Sequence, residues 1–239
     1  NMNLENELSA LNKVQYDEEN LEKLFYELEF NTMMSQIRKA NDKKVKINSR
    51  KSKNYQTLDT LEEIESYFNS LKKGDWLSYD LETTSVIPME CDIVGLSFST
   101  LPNSGVYIPI LYPNCELDKS QQFLKDVIQI IKPKMEDSQF SKTGQNVKFD
   151  TLILKRHGID VKGICFDTLL AAHLLKPESR NLKLDYLSRD YLGYEMLPIE
   201  DLIGKGKDQI SMAEVELDSI SFYAAEDADV ALQLTHRLK

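Results

Sequence analysis

Near residue 75 the hydrophobic period of the chain changes, and that change limits the folds open to it. Before it, Leu58, Leu61, Ile64, Phe68 and Leu71 recur at helical spacing, which predicts a helix over 58–72. After it, 76–82, 93–100 and 106–111 read as strands, with Pro102-Asn103-Ser104-Gly105 as the turn between the last two. Three strands in a row with short connections predict an antiparallel meander. Helices are then predicted over 119–131, 147–156, 168–175, 182–192 and 217–238, with a short strand at 140–143 and a flexible break at Gly204-Lys205-Gly206-Lys207. Strands followed by helices mixed with a further strand give an α/β fold, a mixed sheet flanked by helices. That domain is expected over 57–239. Ahead of it, 1–38 reads as a helical appendage, with Leu21, Leu24, Phe25, Leu28, Met33, Met34 and Ile37 at helical spacing and Asp17 as a cap. The stretch 39–56 is rich in Lys, Asn and Ser and reads as a basic, solvated linker.

Composition narrows the function classes. The chain has 239 residues, enough for a self-standing core, and no apolar run approaches the roughly 20 residues that cross a bilayer. Its first twenty residues are polar and acidic, unlike a signal peptide. Cys91, Cys115 and Cys165 form no CxxC pair, so neither a zinc site nor a disulfide framework is indicated, and reduced cytosolic thiols are expected. A net charge of −10 argues against a tight duplex binder. It leaves room for a nuclease whose carboxylates attract phosphate only once cations are bound.

Three acidic segments carry the chemistry. Asp80-Leu81-Glu82 lies on a predicted strand, so both carboxylates project from one face. Side by side they repel unless a positive charge sits between them, and a hard divalent cation with oxygen ligands meets that need. The spacing alone is weak: 39 acids in 239 residues give about 6 acid-x-acid pairs by chance. Asn146 and Asp150 are four apart at a helix start, where Asn146 has the chemistry of a cap and Asp150 sits among Phe149, Leu152, Ile153 and Leu154. Tyr223 and Asp227 are also four apart, so phenol and carboxylate share a helix face. Ala224, Ala225, Ala228 and Ala231 would let that helix lie close to the sheet, while Glu226 and Asp229 read as solvated acids. Four carboxylates converging on two metals roughly 3.5–4 Å apart would clamp a phosphodiester for in-line cleavage.

In this order the segments resemble the three motifs of the DEDD exonuclease superfamily, in its tyrosine branch. The other branch places His one residue before the tyrosine, where this chain has Phe222. Ile93-Val94-Gly95-Leu96-Ser97-Phe98, Gly144-Gln145-Asn146-Val147-Lys148-Phe149-Asp150, Gly204-Lys205-Gly206-Lys207 and Tyr223-Ala224-Ala225-Glu226-Asp227-Ala228-Asp229-Val230 extend the resemblance to the proofreading domain of bacterial-type family-A DNA polymerases. It covers about 57 to the end. In the appendage, Phe25-Tyr26-Glu27-Leu28-Glu29-Phe30 resembles the last helix of the 5′-nuclease portion that precedes such a domain. The chain stops where a polymerase thumb would start, and Asn1 lacks an initiator Met, so the resemblance implies an excised piece of a larger polymerase.

The resemblance implies an RNase H-like fold, two Mg²⁺ or Mn²⁺ ions, and release of nucleoside monophosphates from a single-stranded or frayed DNA 3′ end. Asp80, Glu82 and Asp227 would hold the first metal, with Asp80 bridging to a second that Asp150 supports through water. Tyr223 would orient the attacking water; a free phenol, with pKa of about 10, suits that role better than a general base. Thr83 and Asn146 would contact the terminal nucleotide, and Val86 and Ile199 would grip the last bases; the family often has a larger aromatic at the second position. Gln145, Arg180, Lys205 and Lys207 are candidates for phosphate contact. His157, His173 and His236 read as packing or surface residues. The implied partner is a polymerase domain of the same parent chain, which would deliver the strand to an otherwise acidic, monomeric, cytoplasmic and nucleoid-associated enzyme. Two other functions share the motifs: a non-catalytic spacer of the same fold, and a 3′→5′ ribonuclease.

Overall fold

A computed structural model describes residues 53–206 and 209–239. The helical appendage read over 1–38, the linker up to residue 52, and Lys207 lie outside the described residues. Five strands form one sheet in the order β1-β4-β3-β2-β5. They are β1 (Asn54–Thr57), β2 (Trp76–Thr83), β3 (Ile93–Ser99), β4 (Ser104–Pro109) and β5 (Ser141–Thr143). The meander β2-β3-β4 is antiparallel, as its short connections require, whereas β1 joins β4 and β5 joins β2 in parallel. Longer segments make those parallel connections: α1 (Leu61–Ser70) follows β1, and α2 (Leu117–Met135) precedes β5.

Side-chain alternation sorts the two faces. Leu77, Tyr79 and Leu81 of β2, with Val106 and Ile108 of β4, pack into the larger core with Ile64 and Phe68 of α1 and Val127, Ile128 and Ile131 of α2. Ile153 and Leu154 of α3 (Val147–Arg156) complete that core. On the other face, Val94 and Tyr107 meet Met212, Val215, Ile220 and Ala224. Here lies the long C-terminal helix α7 (Leu217–Leu238). With both faces covered, β3 is buried at every position. The remaining elements are α4 (Thr168–Leu175), α5 (Leu184–Leu187), a π-helical turn at Ser188–Leu192, α6 (Ile199–Ile203) and a 3₁₀ turn at Met212–Glu214. Among the described residues no helix is long and apolar enough to cross a membrane.

Of the approaches too close for any side chain but hydrogen, two position the site. A Cβ on Gly105 would sit 2.7 Å from the Ala225 carbonyl, so α7 presses directly on β4. A Cβ on Gly144 would sit 2.7 Å from the Tyr79 carbonyl, which lets the start of α3 cross beside β2. These two contacts bring Asp227 and Asp150 towards the strand that carries Asp80.

The structure departs from the sequence reading at its margins. Residues 54–57 form the edge strand β1, so the linker read over 39–56 gives up its last residues to the sheet. Asn-Tyr-Gln-Thr lacks apolar alternation because an edge strand on this sheet has little to bury. Helix α2 runs past its expected end to Met135 with Pro133 inside it, because Met135 is buried in the core. The helix read over 182–192 is α5 followed by a π-helical turn.

Candidate active site

Asp80 and Glu82 leave β2 on the side that faces α7. The register sets Asp80 opposite Ser97 and Glu82 opposite Gly95, with an irregularity between Glu82 and Thr83. Gly95 is needed here because the Tyr107 ring occupies the place of a side chain, 2.2 Å from where its Cβ would be. Asp227 descends from α7, and Asp80, Glu82 and Asp227 each offer a carboxylate oxygen within 4.8 Å of the others. Asp150 is buried on α3 beside the Leu81 backbone amide, which favours its charged form and sets it next to the same strand. Tyr223 stands one turn before Asp227 on α7, and its phenol lies close enough to that carboxylate for each to shift the other's proton affinity.

These carboxylates are held in an unfavourable state. Burial raises the Asp80 carboxyl to about 7. Burial and then the Asp80 charge raise Glu82 and Asp150 well above the usual carboxylate range. Burial, Asp80 and Glu82 do the same to Asp227. Burial and the Asp227 charge also raise the Tyr223 phenol, which stays protonated at neutral pH. Among the described residues no Lys or Arg forms an ion pair with the four acids. Buried or half-buried, mutually repelling oxygens without a cationic side chain are the donor set that a hard divalent ion satisfies.

A hollow of about 790 Å³ opens beside them. Asp80, Asp150, Tyr223, Asp227, Gln145, Asn146 and Ile199 line it, so the structure gathers these residues at one place. Thr83, Val86, Arg180 and Lys205 are not on its wall. Thr83 donates its hydroxyl to the Ser85 carbonyl at 2.9 Å, and Val86 stands 88% exposed. Lys205 is paired with Glu200 at 2.6 Å. Gln145 gives its amide nitrogen to the Leu182 carbonyl at 2.7 Å and receives the Thr168 hydroxyl. Asn146 stands at the start of α3 in the left-handed region, φ 58°, with no capping bond from its side chain. The cap comes from Asp167, whose carboxylate accepts from Val147 at 3.0 Å and also from Leu169 at 2.9 Å, starting α3 and α4 together. Asn146 is thereby left facing the hollow.

Lys183, Phe149, Met196 and Leu197 also line the hollow and were not picked out by sequence. Glu226 and Asp229, read as solvated, are fully buried. Glu226 accepts from the Tyr194 hydroxyl and from the Leu197 amide at 2.7 Å. Asp229 accepts from Lys53 at 2.9 Å, Tyr55 at 2.7 Å, the Asn103 amide at 2.8 Å and Gln233 at 2.8 Å. Apart from Gln233, their donors lie far off in sequence, so local pattern gave little signal for them.

Residues 55–239 match the family model described as 3′-5′ exonuclease. The chain belongs to this 3′→5′ exonuclease family of DNA polymerase I. It is 37% identical over 175 residues to DNA polymerase I of Chloroflexus aurantiacus, covering 71% of this chain and 17% of that one. With DNA polymerase I of Pseudomonas aeruginosa the identity is 30% over 178 residues, 73% of this chain and 19% of the other. The chain thus spans about a fifth of the curated relatives it matches. Among solved structures, RNase D of Trypanosoma brucei superposes with a TM-score of 0.60 at 14% identity, over 77% of this chain and 64% of that chain. Brucella melitensis NrnC with bound Mg²⁺ gives 0.52 at 16% identity, over 78% and 80%. The exonuclease fold here is RNase H-like, a mixed sheet with helices on both faces.

Proposed function

We propose that this exonuclease domain is catalytically active. It would hydrolyse the terminal phosphodiester of a single-stranded or frayed DNA 3′ end, release nucleoside monophosphates, and proofread for a polymerase domain of the same parent chain. The observation that carries the reading is the convergence of Asp80, Glu82 and Asp227 within 4.8 Å, with Asp150 and Tyr223 on the same hollow. A spacer would have no use for such a cluster, since buried, uncompensated carboxylates cost stability.

Asp80, Glu82 and Asp227 would hold one Mg²⁺ or Mn²⁺ ion, and Asp80 with Asp150 a second. Bound metal supplies an activated water and stabilises the leaving oxygen. Tyr223, protonated at neutral pH, orients a water as donor or acceptor and does not take its proton. Asn146 and Ile199 on the wall would face the terminal nucleotide, and Thr83 and Val86 the chain end just outside it. Lys183 lines the hollow and joins Arg180, Lys205 and Lys207 as a cation for phosphate. With a net charge of −10, the free domain should bind DNA weakly and only with metal. In the cell it would work as a cytoplasmic, nucleoid-associated monomeric unit, supplied with DNA by the polymerase at high effective concentration.

The test is degradation of 5′-labelled single-stranded DNA, and of RNA of the same sequence, with Mg²⁺ or Mn²⁺. A ladder from the 3′ end of the DNA, lost in Asp80→Ala and Asp227→Ala, is the expected result. An inert wild type at high enzyme and metal would sink the proposal, and preference for the RNA would redirect it to a ribonuclease.

A further inference from the structure

Part of the wall of the hollow is built on the segment 193–198, which forms neither helix nor strand. This segment begins at Gly193, in the left-handed region at φ 64°, and ends at Pro198, the cap of α6. It presents Met196, Leu197 and Pro198 to the hollow, with Ile199 next to them. A segment with so little regular structure needs another anchor to hold a defined wall. Glu226 provides one from α7: it accepts the Leu197 amide at 2.7 Å and the Tyr194 hydroxyl.

A fully buried carboxylate is costly unless charge and donors surround it. Among the described residues, Lys53 brings a cation to the Tyr194 side of this network. Its side chain is 4% exposed, and its ammonium lies 4.4 Å from the centre of the Tyr194 ring and 2.9 Å from Asp229. An ammonium over an aromatic face is attracted by the ring and fixes its orientation. Lys53, one residue before the edge strand β1, is thereby linked through Tyr194 and Glu226 to the Leu197 backbone.

We propose that Lys53, Tyr194 and Glu226 form a latch that positions the 194–199 wall for the 3′-terminal nucleotide. All three are positioning residues: none lines the hollow, and each acts through the segment that does. The proposal rests on reading the hollow as the nucleotide site.

The experiment uses the full chain and the variants Tyr194→Phe and Lys53→Met. Tyr194→Phe deletes one hydroxyl and should fold. Lys53→Met leaves Asp229 without its ion-pair partner, so its exchange over 194–199 is read relative to the rest of the domain, and Tyr194→Phe decides the test if Lys53→Met fails to fold. Lys53→Arg, which restores a cation, tests rescue. Lys132→Met removes a lysine bonded to the Gly158 carbonyl outside the network and serves as the control. Amide exchange over 194–199 should quicken by about tenfold in Tyr194→Phe and Lys53→Met, and stay unchanged in Lys132→Met. With single-stranded DNA and Mg²⁺, KM should rise about three- to tenfold while kcat stays within about twofold, because uniform binding is lost and not chemistry. Affinity for thymidine 5′-monophosphate should fall in parallel.

Unchanged exchange at 194–199 in both variants overturns the latch. Faster exchange with KM and nucleotide affinity both unmoved overturns its role in the site. A lower melting temperature alone, with neither readout moved, does the same. A wild type that binds the nucleotide but cuts no DNA overturns the exonuclease reading and leaves the latch standing on exchange and affinity.

Discussion

Helix α7 carries three buried or half-buried acids within one turn, Glu226, Asp227 and Asp229, and they live in opposite electrostatic worlds. Asp229 is ringed by four donors, one of them the Lys53 ammonium, and Glu226 takes a phenol and a backbone amide. Asp227 faces Asp80 and Glu82, with the Tyr223 phenol as its neighbour. Burial therefore does not separate a structural carboxylate from a metal-seeking one. The donors around it do. Acids whose lone pairs are filled by the protein hold the fold together, and acids that face one another wait for a cation.

The sharpest way to break this contrast is to neutralise one member of each set. Asp227→Asn is expected to cut exonuclease activity roughly a thousandfold, about 4 kcal/mol of barrier, while leaving thermal stability equal or higher because a repulsion is removed. A clear loss of melting temperature would show Asp227 to be structural. Asp229→Asn should do the reverse. Leaving Lys53 buried beside a neutral amide is expected to cost about 3–5 kcal/mol in denaturant unfolding, since one charge of a buried pair loses its partner. A stable Asp229→Asn variant would erase the distinction between the two sets.

Smaller effects sharpen it. Mg²⁺ at about 100 times its dissociation constant should stabilise the wild type by about 2.7 kcal/mol, and Asp80→Asn by much less, as read by thermal melts with and without chelator. The smallest is a pH effect. Asp80 has its folded value raised from 3.8 to about 7, so its contribution to stability is full below its ordinary value and is lost as pH rises through about 7. Metal-free protein should therefore melt progressively lower between about pH 5 and pH 7.5, with a shallower slope in Asp80→Asn. An identical slope in both would mean that the cluster is not the source.

The sequence was most legible where a strong period coincided with a packed face. The helices at 147–156, 168–175 and 217–238 have the observed bounds, and the meander followed from three apolar runs split by turn residues. Convergence of Asp80, Glu82 and Asp227 was readable because two simple periods put the carboxylates on definite faces and alanines let α7 come near. What stayed hidden depends on partners far along the chain. Strand β1 has no apolar stripe, and α6 is five residues long. Glu226 looked like a surface acid because its donor Leu197 lies 29 residues away, and Asp229 because Asn103 lies 126 away. Gln145 lines the hollow, and its internal partners, Leu182 and Thr168 at the two ends of its amide, left no local sign.

The bond between Lys53 and Asp229 spans 176 residues, nearly the whole domain. It sets an order in time. During synthesis, Lys53 and β1 emerge long before the helix that secures them, and such distant pairings form late and slowly. Asp227 arrives on that same helix. A nascent chain released early would carry Asp80, Glu82 and Asp150 without the acid that completes the cluster, so a truncated product lacks the proposed metal site.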